Sequence, residues 1–171
     1  KVIIKFLLEN APDYVFEEFD GATYRPDGSK IGYDGNGAFY LGGHRPCFDN
    51  PKVMEHAIKF VRKTVERYRD NEDILFWNIW NEPRIHSGEC ACKHSLKSYR
   101  EYLKNRFGTV EELNKFAGKA WDSFESVQAP TSYRTYLDMF LWRQWSHVTL
   151  NSWLRQIYAA VKAEDASRPV M

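Results

Sequence analysis

The amino-acid sequence predicts an α/β chain in which parallel strands alternate with helices, a partial barrel of the eight-stranded (β/α)8, or TIM, kind. Three observations predict it. Two apolar runs, from Val2 to Leu8 and from Ile74 to Trp80, flank a helical pattern, and strand, helix, strand is the crossover unit whose strands lie parallel. The second run is apolar nearly throughout instead of alternating, the mark of a strand covered on both faces. The chain has 171 residues, fewer than the roughly 250 of a complete barrel. It starts inside one strand-like run and stops at Arg168-Pro169-Val170-Met171, where another is about to begin. Residues 1–171 are therefore expected to be one fragment of a barrel domain, with the remainder of the barrel missing.

In chain order, Glu9-Asn10-Ala11-Pro12 ends the first run. The stretch from there to Cys47, rich in Gly, Asp and Tyr, has no helical period and is expected to be a long loop at the strand ends, where such loops carry function. Asn50-Pro51 offers an N-cap followed by Pro at the first helical position, and Met54, Ile58, Val61, Val65 and Tyr68 recur at spacings of three and four, so an amphipathic helix is expected. Beyond the second strand, Ile85 to Lys93 is a second loop. A helix with Leu96, Tyr99, Leu103 and Phe107 on one face follows, closed by Gly108. Thr109 and Glu112 make a capping box for a short helix with Leu113 and Phe116. A last helix, about Tyr133 to Ala163, is expected to bury Tyr136, Leu137, Phe140, Leu141, Val148, Leu154, Ile157 and Val161 before Arg168-Pro169 turns the chain toward a further strand.

Composition excludes some partners. A net charge of +1 without a basic cluster leaves no electrostatic footprint for nucleic acid, and no apolar run is long enough to cross a membrane. Aromatic residues make up 16% of the chain; their faces suit the apolar C–H surfaces of sugar rings, but they also build ordinary cores. No leader is visible, and a cytoplasmic location is the expectation.

Chemistry concentrates in two places. Pro83 stops the second apolar run just after Asn81-Glu82, so the strand delivers a carboxylate to its C-terminal end, where barrels of parallel strands build their pocket. Desolvation by Trp77 and Trp80 would raise the Glu82 carboxyl toward the range of a general acid, and the Asn81 amide can both donate to and accept from a sugar hydroxyl. A Glu82–Arg84 ion pair is the plainer alternative. Cys90 and Cys92 lie in the loop after that strand, and Cys47 lies in the loop before the preceding helix. A Cys-x-Cys pair with a distant Cys is a structural zinc arrangement short of one ligand, which His94, or failing it His86, would supply. A disulfide or inert thiols are the competing reading.

Gly42-Gly43-His44-Arg45-Pro46-Cys47 before the Pro-started helix, Cys90-Ala91-Cys92-Lys93-His94-Ser95, and above all Phe107-Gly108-Thr109-Val110-Glu111-Glu112-Leu113-Asn114 resemble segments of glycoside hydrolase family 42, the β-galactosidases of clan A. The resemblance implies a carbohydrate substrate and a span from strand three to the start of strand five of the (β/α)8 barrel. It implies Glu82 as acid/base, Asn81 on the sugar 2-hydroxyl, Arg45 as a sugar contact and a nucleophilic Glu beyond this chain. By the same resemblance Cys47, Cys90 and Cys92 are zinc ligands. Three departures stand out: Ser95 occupies the place of the family's last zinc Cys, the segment before Cys47 is one residue shorter, and Pro83 replaces the usual Tyr-Gly. Glu9 is at best a rim residue. A homo-oligomer is an open expectation. The alternatives are another clan A β-glycanase, or a non-catalytic carbohydrate-binding barrel.

Overall fold

A computed structural model of the chain describes residues 1–8, 10–31, 46–80, 90–131 and 136–171. They fall into two compact units, Lys1–Ala22, Gly32–Arg84 and Leu150–Met171 forming the first, Thr23–Ile31 and Ile85–Thr149 the second.

In the first unit β1 (Val2–Lys5) pairs in parallel with β2 (Ile74–Asn78). The ladder continues past β1, with Phe6 N donating to Asn78 O at 2.8 Å. On the other side of β2, Trp77 forms a parallel bridge with Val170, and Ile79 N donates to Met171 O. β2 is thus the middle of three parallel segments, and the segment expected after Arg168-Pro169 is present. Ile74, Trp77 and Ile79 enter a core with Phe6, Val53, Met54, Ala57, Val61, Val65, Ile157 and Val161. Covering of both strand faces was the expectation, but Val2 and Ile3 keep 51% of their surface exposed and Leu75 keeps 49%. Among the described residues the strands are thus only partly covered.

The helix α2 (Pro51–Tyr68) forms where the cap signal places it, and Asn50 Oδ1 accepts from Lys52 N at 3.1 Å. Asn50 does more than cap. Its Nδ2 donates to the carbonyls of Phe19 and Asp20 at 2.7 and 3.3 Å, tying the helix start to the chain before it. Met54, Val61 and Val65 are buried as expected; Tyr68 is exposed, and Val53 and Ala57 complete the buried face.

The stretch expected to be loop contains a helix, α1 (Asp13–Phe19). Seven residues with only Val15 buried give no readable period. Tertiary contacts hold it: Tyr14 Oη lies 2.6 Å from His56 Nε2 of α2, and Phe19 and Tyr14 rings contact the same imidazole. Asp20 closes α1 in the left-handed region. Gly21 follows, where a Cβ would sit 2.6 Å from Val15 O and 2.9 Å from Val53 Cγ2, so no larger residue fits between α1 and α2 without displacement.

The second unit holds α3 (Lys93–Phe107), α4 (Val110–Ala117), a 3-10 turn (Phe124–Ser126) and the first part of α5 (Tyr136–Glu164). Tyr99 and Leu103 of α3 and Leu113 of α4 pack with Leu141, Trp142 and Trp145. Thr109 Oγ1 accepts from Glu112 N at 3.3 Å, capping α4. Both amide atoms of Asn114 hold the Trp121 backbone, and the Arg100 guanidinium donates twice to Val127 O. Burial of the Tyr99 hydroxyl, with Asp138 and then Tyr102 as charged neighbours, pushes its pKa far up.

On α5 the expected buried face is only partly right. Leu141, Ile157 and Val161 are buried, but Tyr136 is 75% exposed and Val148 55%, and Leu137 and Phe140 are also on the surface. Those four share one side of the helix. Trp142, Trp145 and Ala160 take the buried positions instead. The helix is apolar on nearly every side, so periodicity does not mark which side turns inward.

Candidate functional site

The scaffold under the candidate acid is built from both ends of the first unit. At the N-terminal end of β2, the Asp165 carboxylate is almost fully buried and accepts from Trp77 Nε1 at 2.9 Å through Oδ2, and from Ser167 N and Oγ and Arg168 N through Oδ1. Arg168 Nη1 pairs with Oδ2 at 2.8 Å. Its fork also donates to the carbonyls of Ile74, Asn71 and Arg69, closing the turn between α2 and β2. Desolvation works to raise the Asp165 carboxyl, but the hydrogen bonds from Trp77, Arg168 and Ser167 outweigh it and hold the group well below the usual carboxylate range. Spacing analysis missed this residue. The Asp-x-Ser-Arg-Pro run after the last helix was its signal, a side chain that hydrogen-bonds its own following amides as the helix stops.

At the C-terminal end of β2 an aromatic group gathers. Trp80 packs edge-on against Phe48 with ring centroids 5.1 Å apart, and Phe48 meets Trp153 at 5.6 Å. Trp153 Nε1 donates to Asp49 Oδ1 at 3.2 Å, and Trp80 N to Asn78 Oδ1 at the same distance. Trp77, expected to desolvate Glu82, is fully buried, stacked on Phe6 and committed to Asp165. Asn81, Glu82, Arg45 and Glu9 lie outside the described residues, as does His86. Trp80 is the last described position before the Asn-Glu pair.

The thiol residues are described in their own units. Cys47, in the first, is buried at 2% exposure, and its N–H donates to Gly21 O at 2.8 Å. Cys90 and Cys92, in the second, are half-buried. Cys90 Sγ accepts from Tyr24 N and from Cys92 N, each at 3.4 Å. Cys92 Sγ lies 3.6 Å from Ser95 Oγ, and Ser95 is completely buried. The three cysteines form no disulfide. Among the described residues no group of metal-ligating side chains includes His94, and none of the described helices is long and apolar enough to cross a membrane.

Comparison with known proteins follows the same lines. The sequence model of glycoside hydrolase family 42, described as beta-galactosidase, matches residues 22–171. Beta-galactosidase LacZ of Heyndrickxia coagulans is 36% identical over 110 residues, covering 60% of this chain and 16% of that protein. Beta-galactosidase BgaB of Geobacillus sp. (strain Y412MC61) is 28% identical over 120 residues, covering 66% of this chain and 18% of that protein. The chain thus spans less than a fifth of these curated relatives. Among solved structures, the beta-galactosidase from the psychrophilic Marinomonas ef1 superposes with a TM-score of 0.84 at 18% identity, over 99% of this chain and 26% of that one. That likeness shows the fold, part of an α/β barrel.

Proposed function

The chain belongs to glycoside hydrolase family 42, the β-galactosidases, and from that premise we propose that residues 1–171 are part of the catalytic (β/α)8 barrel of a retaining β-galactosidase, running from about strand three to the start of strand five. The observation that carries this reading is the position of β2: it is the middle of three parallel segments, and its C-terminal end runs through Ile79 and Trp80 directly into Asn81-Glu82. Strand ends of that polarity are where such barrels keep their chemistry.

In this reading Glu82 protonates the departing glycosidic oxygen of a terminal β-D-galactosyl residue and, in the second half of the reaction, takes a proton from the attacking water. Asn81 holds the sugar 2-hydroxyl and Arg45 contacts the sugar. The nucleophilic carboxylate, which must stand only about 5 Å from the acid/base in a retaining enzyme, comes from outside these residues, so this stretch alone is inactive. The aromatic group of Trp80, Phe48 and Trp153 supports the reading, since it gives the strand end a rigid apolar floor.

Glu82→Gln in the intact enzyme tests it. Hydrolysis of substrates with poor leaving groups should fall by about 10²–10⁴-fold, while activated aryl galactosides, which need no proton, lose far less in the first step. Equal loss on both kinds of substrate rejects the acid/base role. Pro83, where the family has Tyr-Gly, favours a second reading, another clan A β-glycanase; that reading predicts cleavage of long β-glycans with little action on nitrophenyl galactoside.

The donor set of the thiol residues fits structural zinc, with Cys47, Cys90 and Cys92 as sulfur ligands. Bound there, a zinc ion would act as a structural cross-link; were every position filled by protein ligands, it would offer no place for a reacting water.

A further inference from the structure

We propose that Asn78, through its side-chain oxygen, is a positioning residue that fixes how the chain leaves the central strand and so aims the acid/base Glu82. The proposal rests on the acid/base reading above and deepens it. Asn78 is the last residue of β2 and the one polar residue between Ile74 and Trp80. On one side its carbonyl accepts from Phe6 N at 2.8 Å; on the other, the next amide, Ile79 N, donates to Met171 O at 2.8 Å. Successive residues of a parallel strand turn their backbone groups to alternate neighbours, so the amide of Trp80 is due to face β1 again. It donates instead to Asn78 Oδ1, at 3.2 Å.

A side-chain oxygen that captures the amide two residues on offers the backbone an alternative to the sheet, and turns it. The turn therefore begins at Trp80, one residue before Asn81-Glu82. Trp80 is held a second way, its ring packed against Phe48, and Phe48 against Trp153, which is itself tied to Asp49. The ring contacts fix where Trp80 sits; the Asn78 bond fixes which way its peptide faces. An apolar residue at 78 frees that amide to rejoin the ladder or to take water, and either choice re-aims the residues that follow. Proton transfer needs hydrogen-bond reach, and a misplacement of about 1 Å costs on the order of 100-fold. Asn78 is only half-buried, so replacing it empties no core position.

The experiment uses the intact enzyme and its Asn78→Ala, Asn78→Leu, Asn78→Asp and Asn78→Ser variants, with Glu82→Gln alongside. For each, kcat/KM per folded molecule is measured on methyl β-galactoside, a poor leaving group, and on dinitrophenyl β-galactoside, an activated one, with thermal unfolding giving the folded fraction. Asn78→Ala should lose about 10–100-fold on the methyl glycoside, in kcat more than in KM, and far less on the dinitrophenyl glycoside. Asn78→Leu, closer in size to asparagine, should do the same. Asp and Ser each offer an oxygen to the Trp80 amide and should recover most of the loss. A common factor of loss on both substrates, the mark of a merely structural residue, would overturn the proposal, as would Asp and Ser variants no better than alanine. Glu82→Gln separates the two failures. Leaving-group selectivity in Glu82→Gln but in neither apolar variant overturns this inference and leaves the acid/base role standing, whereas equal loss on both substrates in Glu82→Gln rejects that role and this one with it.

Discussion

Trp77 and Asp165, 88 residues apart in sequence, are joined by a 2.9 Å hydrogen bond from the indole to a buried carboxylate. The bond ties the central strand to the end of the last helix. Because the same carboxylate also pairs with Arg168, its charge matters as well as its shape.

Asp165→Asn keeps an acceptor for Trp77 but removes the charge that balances Arg168, and breaking a buried pair costs about 3–5 kcal/mol. The pH dependence has a definite sign. The folded carboxyl lies below its unfolded value, so its stabilisation is complete above the ordinary carboxylate range, near 3.9, and is lost as pH falls below it toward the depressed folded value. Urea unfolding of wild type and variant should show a wide gap at neutral pH that narrows in acid. A constant gap would mean the charge is not what holds this corner.

Asn50 combines two jobs that substitution separates. Asp caps a helix as well as Asn does, but it cannot donate to the Phe19 and Asp20 carbonyls that Nδ2 now reaches. Asn50→Asp should therefore destabilise by about 1–3 kcal/mol. A variant as stable as wild type in thermal unfolding would show that the ties to Phe19 and Asp20 contribute nothing.

At Gly21 the expected effect runs against the usual benefit of alanine. Replacing Gly commonly stabilises by about 0.4–1 kcal/mol by restricting the unfolded chain, yet here the added methyl meets the Val15 carbonyl at 2.6 Å. Overpacking should win, with Gly21→Ala losing about 1–3 kcal/mol. A rise in melting temperature would contradict the close approach of α1 to α2.

Cys90→Ser removes the sulfur that accepts two backbone amides. If the thiols bind metal, the intact enzyme should lose metal content and about 2–5 kcal/mol of stability, while kcat per folded molecule stays near wild type. A collapse of kcat in well-folded protein would place the metal in the chemistry instead of the scaffold.

Much of the fold could be read in the chain because its signals are local. Asn50-Pro51 marks the start of α2 and Thr109 that of α4, and the apolar runs mark the strands. α1 could not be read, since its seven residues are held by His56 and Val53, which lie far along the chain. Nor could the buried side of α5, where Tyr136 and Val148 are as apolar as the residues that turn inward. The site was legible in part. Cys-x-Cys is a visible pattern, but the burial of Ser95 against Cys92 depends on the helix that follows, and Asp165 needs Trp77 and Arg168 beside it before it means anything.

The Arg168 fork gathers the carbonyls of Arg69, Asn71 and Ile74 at the end of β2 opposite to Asn81-Glu82. If the chain is part of a glycoside hydrolase as proposed, that polarity divides the labour of a mutant library aimed at a new sugar. Diversity is best spent beyond Ile79, and the clasp at the other end is best left untouched. Changes there would alter how much protein survives expression without altering which glycoside it accepts.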